Sequence, residues 1–208
     1  SYFGLRSVSV IDVPSKNATA TVKAPALNGR RIFYAGWLDQ SFWPDGLYAA
    51  ASADALAFDL RAAKEFGLNM IRLHQKVNPE RWYYYADTLG LAVFQDVPQK
   101  YGHASNATIP LFDADLAALI SGPRANHPSI VMWDVFNEKD CVGVVAPDAA
   151  AAQRYVDTAR AHAQCSINGR TETSGLASAA ASCRKYQAIS RANHRRVTNS
   201  AASLRTAE

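Results

Sequence analysis

Four short apolar segments alternate with helix-forming segments along this chain, and that alternation constrains the fold more than any other feature. The predicted strands span 31–37, 68–74, 91–96 and 129–136. The last of them is β-branched and apolar and follows His127-Pro128, as expected of a buried parallel strand. Strands that alternate with helices at this spacing indicate an α/β fold with a parallel sheet or barrel.

Capping signals place the helices between these strands. Ser52 is a predicted N-cap, and Gly67 is the predicted C-terminal stop of the same helix. Asn78-Pro79 predicts a second helix with proline at its first position, ending at Gly90. Two more helices are predicted, a short one before Gly122-Pro123 and one near 148–162.

The ends of the chain differ in character from its middle. Residues 2–13 predict a strand, and Asn28-Gly29 predicts a tight turn. Apolar residues thin out after residue 164, so we expect a disordered, low-complexity tail over 165–208. We therefore divide the chain into 1–26, 27–164 and 165–208.

The net charge of +4 belongs to that tail. Residues 165–208 hold seven Lys and Arg and two acids, which leaves 15 basic and 16 acidic residues in 1–164. A single aromatic residue, Tyr186, accompanies these basic residues, so a nucleic-acid partner is not predicted. Nor is a membrane partner, because no stretch approaches the roughly 20 apolar residues of a span. Oligomeric state and localisation stay open.

The sequence predicts no cofactor and no metal. Glycine-rich phosphate loops are missing, and the three cysteines lack a CxxC spacing. The chain begins without Met or a signal-peptide pattern, so we expect a fragment or processed product.

Each predicted barrel strand ends in polar or aromatic side chains. These residues are Trp37 and Asp39, Arg72 and His74, Gln95 and Asp96, and Asn137 and Glu138. In a (β/α) barrel the carboxyl ends of the strands meet at one face, where the chemistry takes place. This convergence predicts a site at that face.

Four ordered blocks resemble glycoside hydrolase family 2, which contains β-galactosidases, β-glucuronidases and β-mannosidases. The first block, YFGLR at 2–6, resembles the exit from the immunoglobulin-like domain that precedes the family's barrel. The second block, LNGRRIFYAG at 27–36, resembles the entry into the first strand of that barrel. The third includes NMIR at 69–72, PERWY at 79–83 and QD at 95–96. The fourth runs from HPSI at 127–130 to Asn137-Glu138.

The resemblance implies a retaining, exo-acting hydrolase of β-glycosides on a (β/α)8 TIM barrel. About four to five βα units are present, preceded by the edge of an immunoglobulin-like domain. By resemblance, Glu138 is the general acid/base and Asn137 bonds the substrate 2-hydroxyl. Retaining enzymes need a second carboxylate about 5–5.5 Å away as the nucleophile.

That nucleophile is not identifiable in the sequence. In the family it lies on the seventh strand, at least about 60 residues past Glu138, where this chain has its basic tail. The TETSG segment that contains Glu172 weakly resembles the family's nucleophile motif, but Glu172 follows Glu138 by only 34 residues. Gln75 also stands where many members have a histidine.

Six further residues are candidates for substrate binding, each with a structural alternative. Arg72 and His74 share a strand face and are either site residues or a buried ion pair and a core histidine. Asp96 either bonds substrate or orients Arg72. The others are Asp39, Trp43, which could stack on a sugar, and Trp133, which could form part of the apolar surround of Glu138.

Three other interpretations compete with an active glycosidase. The first is that the chain is a truncated remnant with at most weak carbohydrate binding, and that residues 165–208 are out of register with the rest of the gene. The second is that it is an endo-acting cellulase-like barrel, although Lys139 stands where proline is usual. The least favoured is nucleic-acid binding through the tail.

Overall fold

The computed structural model describes residues 2, 4–15, 20–40, 42–98, 105–137 and 149–165. They form two sheets, and helices accompany the second. Strands β1, β2 and β3 are Val8–Pro14, Thr21–Leu27 and Arg30–Arg31, and strands β4 to β7 are Gly36–Asp39, Met70–Leu73, Ala92–Asp96 and Ile130–Asp134. Helices α1 to α4 are Ala53–Glu65, Glu80–Leu89, Thr108–Ser121 and Ala149–Cys165, and a 3-10 turn covers Pro123–Asn126.

Strands β4 to β7 form one parallel sheet in the order of the sequence. A helix follows each strand, so the sheet is built of four βα units. All four helices pack on one face of it, in two apolar clusters. Parallel strands in sequential order, with helices on a single face, are the arrangement of a (β/α)8 barrel. The fold is therefore the predicted partial barrel.

Local sequence explains the limits of the helices. The Ser52 hydroxyl accepts a hydrogen bond from the Ala55 amide at 3.0 Å, which caps α1 as predicted. Gly90 ends α2 with a φ of 68°, a conformation that favours glycine. Pro79 is the N-cap of α2 instead of its first helical residue. The prediction there was wrong by one position.

The predicted strand at 31–37 is divided in the structure. Asn28 and Gly29 have φ values of 53° and 73°, which confirms the turn. The turn brings Arg30 and Arg31 into antiparallel pairing with β2. The chain then crosses to the parallel sheet, where the Asn69 side chain accepts from the Ala35 amide at 2.8 Å. This crossing separates β3 from β4.

The antiparallel sheet includes residues from both sides of the predicted domain boundary at 26/27. That boundary stays a prediction, and so does the immunoglobulin-like origin of β1 to β3. The segment 166–208 lies outside the described residues. Among the residues described, no helix has the length and hydropathy that crossing a bilayer requires.

Candidate functional site

The site candidates that the structure brings together lie on the sheet face opposite the helices. Ile71 and Leu73 are fully buried against α1 and α2, so Arg72 between them faces the other way. The register places Arg72 opposite Phe94, and Asp96 opposite Asp134. The face that carries Arg72 therefore also carries Asp96 and Asp134 at the carboxyl ends of β6 and β7.

Arg72 is the centre of this group. Its Nε lies 2.8 Å from Asp96 Oδ1 and its Nη2 lies 2.9 Å from Asp96 Oδ2. The same Nη2 lies 2.9 Å from Asp134 Oδ2 and 3.1 Å from Asn137 Oδ1. One guanidinium thus joins the ends of three adjacent strands, and it holds Asn137 beside the position of Glu138. We call Arg72, His74, Asp96, Asp134 and Asn137 the Arg72 cluster.

Asp96 accepts most of the hydrogen bonds in the cluster. Its side chain is fully buried, and Oδ2 lies 2.9 Å from His74 Nδ1 and 3.3 Å from the Gln75 amide nitrogen. A buried carboxylate is stable only when it is paired and hydrogen-bonded. Asp96 meets that condition through its ion pair with Arg72. The ion-pair alternative for Arg72 is therefore present in the structure, and it is compatible with the predicted role of Arg72 as a site residue.

Asp134 is the member of the cluster that sequence reasoning missed. It is the last residue of β7 and is 7% exposed. Burial and the nearby Asp96 carboxylate raise the pKa of Asp134 to about 7, although Arg72 opposes the shift. A signal was available, because an acid that alternates with Trp133 and Val135 in an apolar strand must face away from the helices.

A second layer of hydrogen bonds braces the cluster from the helix side. Tyr83 Oη donates to Gln95 Oε1 at 2.5 Å. Gln95 Nε2 donates to the carbonyl oxygens of Lys76 and Asp96, at 2.9 and 2.7 Å. The Tyr83–Gln95 pair therefore fixes both the loop after β5 and the end of β6. Tyr83 itself is fully buried.

Gln75 has an unsatisfied side chain next to the cluster. Its backbone φ is 53°, an uncommon conformation for a residue other than glycine. Neither Oε1 nor Nε2 has a hydrogen-bond partner among the described residues, although both atoms are buried. Each unpaired amide group of this kind calls for an explanation, and binding of a ligand is one.

Asp39 lies outside the Arg72 cluster. It pairs in register with Leu73, whose side chain faces the helices. Asp39 Oδ1 forms an ion pair with Lys76 Nζ at 2.6 Å, and burial together with the Asp39 charge raises the pKa of Asp59 in α1. The side-chain alternation of β4 directs Asp39 toward α1, where it forms this ion pair, and its substrate contact stays a prediction.

The two candidate tryptophans also pack on the helix side. Trp133 pairs in register with Gln95 and packs against both apolar clusters. Trp43 forms a bridge with Leu47 and packs against the cluster of α1 and α2. Neither indole lies with the Arg72 cluster, and the sugar contact of Trp43 and the apolar surround from Trp133 stay predictions.

Two predicted carboxylates, Glu138 and Glu172, fall outside the described residues. The part of the chain that the structure describes contains no group of three or more His, Cys, Asp or Glu side chains placed to hold a metal ion.

Comparison with protein families gives one match over most of the chain. The model for the TIM barrel domain of glycosyl hydrolases family 2 matches residues 24–199. The chain is 27% identical over 120 residues to a β-galactosidase of Lactococcus lactis, and 28% identical over 120 residues to a β-galactosidase of Oenococcus oeni. Each alignment covers 54% of this chain, but only 12% and 11% of those relatives.

Solved structures share the fold. A β-glucuronidase of Parabacteroides merdae superposes with a TM-score of 0.59 at 23% identity, over 79% of this chain and 20% of that chain. An exo-chitosanase of Amycolatopsis orientalis superposes with a TM-score of 0.59 at 21% identity, over 78% of this chain and 19% of that chain. This chain therefore corresponds to a small part of its relatives' length.

Proposed function

Because the chain belongs to glycosyl hydrolase family 2, we propose that it contributes the acid/base half of a retaining, exo-acting β-glycosidase site. In this proposal Glu138 protonates the glycosidic oxygen and later deprotonates the attacking water. Asn137 bonds the 2-hydroxyl of the sugar. The substrate is a carbohydrate, and the reaction needs no cofactor in this scheme.

The observation that carries the proposal is the contact between Arg72 and Asn137. An asparagine side chain can sample several rotamers, but here Oδ1 is held at 3.1 Å from Arg72 Nη2. The Asn137 amide NH2 group is then left to donate to a ligand. Glu138 follows Asn137 directly in the sequence, so the proposed acid and the proposed contact to the 2-hydroxyl belong to one short segment of the chain.

His74 and Gln75 are the proposed sugar contacts next to this anchor. The His74 ring is oriented by Asp96 and is 15% exposed, so its free edge is available to a hydroxyl group. The Gln75 amide, which has no hydrogen-bond partner among the described residues, supplies two N–H donors and one acceptor oxygen. A sugar that bonds this amide would remove the penalty of leaving it unsatisfied.

The nucleophile has to be another carboxylate. Asp96 and Asp134 are not suitable, because both are buried and both are held by the Arg72 guanidinium. A nucleophile must instead reach the anomeric carbon about 5–5.5 Å from the acid. Glu172 is the residue to test first, and Glu172→Gln should abolish turnover if it has this role.

Hydrolysis of a panel of aryl β-glycosides by the purified chain tests the proposal. We expect turnover in which the β-anomer of the sugar is released first, since retaining hydrolysis conserves configuration. Proton NMR identifies the anomer that is released. Glu138→Gln should lower kcat by about 10²–10⁴-fold. Asp54→Asn is the matched control, because it removes a carboxylate whose side chain is 94% exposed, outside the Arg72 cluster, and should leave kcat unchanged.

The second candidate function is carbohydrate binding without turnover. It is favoured by the four parallel strands found among the described residues, since eight strands form a complete barrel. Saturation-transfer NMR with methyl β-glycosides would then show weak binding that Asn137→Ala removes, while no hydrolysis occurs. Turnover abolished by Glu138→Gln would reject this alternative.

A further inference from the structure

We propose that Asp96 fixes the hydrogen of the neutral His74 ring on Nδ1, so that His74 presents Nε2 to the sugar as a hydrogen-bond acceptor. The site then selects carbohydrates that carry a free hydroxyl group at the position facing His74. Asp96 is a positioning residue in this proposal, and His74 determines specificity. The sugar contact rests on the proposed function, whereas the position of the ring hydrogen does not.

His74 lies on the same face of the sheet as Arg72. Its amide donates to the Asp39 carbonyl oxygen at 2.9 Å, which extends the pairing of β4 and β5 beyond Leu73. Side chains alternate along a strand, so the His74 ring lies two positions from Arg72 and faces away from the helices. Its contact with Asp96 agrees with this placement. The side chain is 15% exposed, so part of the ring is accessible at the carboxyl ends of the strands.

Both oxygens of the Asp96 carboxyl group accept hydrogen bonds. Arg72 Nε and Nη2 donate to Oδ1 and Oδ2 at 2.8 and 2.9 Å, and the Gln75 amide donates to Oδ2 at 3.3 Å. A guanidinium and a backbone amide have no acceptor, so these three contacts suit an ionised carboxylate. The bidentate pair with Arg72 is of the strongest kind that a carboxylate forms.

These contacts decide which ring nitrogen of His74 carries the hydrogen. Nδ1 lies 2.9 Å from Asp96 Oδ2, and an ionised carboxylate has no hydrogen to donate. Nδ1 must therefore be the donor, because two lone pairs would otherwise face each other. The opposite tautomer requires a proton on Asp96, which would weaken the ion pair with Arg72. A neutral imidazole has a single N–H, so Nε2 is left as an acceptor.

A ligand can use this acceptor. Among the described residues, the hydrogen bond between Nδ1 and Asp96 is the only one that the His74 ring forms. A sugar hydroxyl can donate to Nε2, and a group without a hydrogen to donate is rejected there. The Asn137 amide has the complementary property, because its oxygen is taken by Arg72 and its NH2 group is left to donate. The hydroxyl at Asn137 therefore accepts, while the hydroxyl at His74 donates.

Nitrogen-15 NMR of the histidine rings in the 208-residue chain tests the position of the hydrogen without any sugar. The spectrum distinguishes the two neutral tautomers from the imidazolium, and His74→Phe assigns the His74 signals among the five histidines. At pH 8 we expect the Nδ1–H form for His74. In Asp96→Asn, which lacks the second acceptor oxygen, the Nε2–H form should appear. Asp54→Asn, which removes a carboxylate that is 94% exposed, should leave the His74 signals unchanged.

Binding of substituted sugars tests the contact itself. Methyl β-glucoside and methyl β-galactoside would be compared with their monodeoxy and monodeoxyfluoro analogues by saturation-transfer NMR. Fluorine accepts a hydrogen bond weakly and cannot donate one. At one ring position both replacements should weaken binding by about 10-fold or more, with no advantage for fluorine over hydrogen. The His74→Phe variant should bind the parent glycoside and these two analogues about equally.

Three results would contradict the proposal in different ways. A hydrogen on Nε2, or an imidazolium at pH 8, would overturn it, and the wild-type spectrum gives this result even if Asp96→Asn fails to fold. A fluoro analogue that binds better than the deoxy analogue at the position sensitive to His74→Phe would show that the ring donates. Absence of binding by every glycoside would refute the sugar contact together with the proposed function, and the assigned tautomer would stand.

Discussion

The Arg72 cluster can be compared with a second group of charges, more exposed to solvent, which surrounds His127 just before β7. We call His127, Glu80, Asp87 and Tyr2 the His127 cluster. His127 Nδ1 lies 2.6 Å from Asp87 Oδ2, and Nε2 lies 3.0 Å from Glu80 Oε2. Both ring nitrogens therefore face a carboxylate, which suits an imidazolium with two N–H donors.

Donors and acceptors match in the His127 cluster. Asp87 also accepts from the Tyr2 hydroxyl and, at 2.8 Å, from the Ser129 amide. The His127 ring stacks on Tyr83 with centroids 5.3 Å apart. Burial alone would lower the pKa of His127, but the two carboxylates raise it above its usual value. Burial alone would raise the pKa of Asp87, and the hydrogen bonds it accepts lower it.

The two clusters therefore hold charge for different purposes. In the His127 cluster, the pKa shifts of His127 and Asp87 each favour the charged form, which is the pattern of a structural contact. In the Arg72 cluster, burial and the Asp96 charge raise the pKa of the Asp134 carboxyl to about 7. Perturbed groups of the second kind concentrate at functional sites. The contacts of His127 are those of a structural residue.

The largest expected effect is that of removing the Arg72 guanidinium. Arg72→Met leaves the fully buried Asp96 without its cation, so we expect a loss of about 3–5 kcal/mol in the free energy of unfolding. Urea denaturation at pH 7.5 measures it. Arg61→Met is the control, because its pair with Asp54 spans 3.7 Å at the exposed surface and should contribute under about 1 kcal/mol. Equal effects would remove the distinction between buried cluster and surface pair.

Removing the imidazole of the His127 cluster should have the next largest effect. His127→Phe keeps the stacking on Tyr83 but deletes two charged donors. Asp87 keeps the bonds from Tyr2 and Ser129, so we expect a loss of about 1.5–3 kcal/mol at pH 6. The measurement is urea denaturation of both proteins across pH.

The pH dependence of that loss has a definite sign. The raised pKa of His127 means that its contribution is complete below the unfolded value of 6.5 and is lost as pH rises through the folded value. The difference between wild type and His127→Phe should therefore shrink at high pH. A difference that stays constant from pH 6 to pH 10 would show that the imidazole contributes packing alone.

Asp134→Asn should raise the free energy of unfolding at pH 8, whereas Arg72→Met and His127→Phe should lower it. The folded state binds a proton between about pH 4 and pH 7 that the unfolded chain has lost, so stability falls as pH rises through this range. One pKa unit is about 1.4 kcal/mol, and the variant also gives up the ion pair with Arg72, so we expect it to be about 1–2 kcal/mol more stable at pH 8. Thermal and urea unfolding at pH 4.5 and pH 8 check this expectation, and a variant less stable than wild type at pH 8 would contradict it.

The smallest effect on stability is expected for Gln75→Met. The amide of Gln75 is buried without a partner among the described residues, so its removal should change the free energy of unfolding by under about 0.5 kcal/mol or raise it. Binding of a methyl β-glycoside should nevertheless weaken. Unchanged binding, measured by saturation-transfer NMR, would exclude Gln75 from the sugar site.

The sequence was sufficient for the elements of the barrel because their signals are local. Ser52, Gly67 and Gly90 stop or start helices through their own backbone and side-chain chemistry. Four strands of the predicted type follow from apolar runs between those helices. The division of 31–37 into β3 and β4 was missed, because it depends on pairing with β2, which is not a property of the segment itself.

The candidate site was predicted less completely, for a geometric reason. Strand ends identified Arg72, His74, Asp96 and Asn137 together, but they do not state which face each side chain occupies. The register assigns Asp39 and Trp133 to the helix side and Asp134 to the Arg72 side. Side-chain alternation around Asp134, which lies between Trp133 and Val135, would have identified the missed acid. The ion pair of Asp39 could not have been found in this way, because Lys76 lies in a loop.

The dependence of hydrolysis on the leaving group tests the central claim most directly. Wild-type chain and Glu138→Gln would be compared on phenyl and 2,4-dinitrophenyl β-glycosides of the same sugar. If Glu138 is the general acid, the variant should lose about 10²–10⁴-fold in kcat/KM on the phenyl glycoside, whose leaving oxygen needs a proton, and far less on the dinitrophenyl glycoside. Equal losses on both substrates, or no hydrolysis by the wild-type chain, would contradict the account.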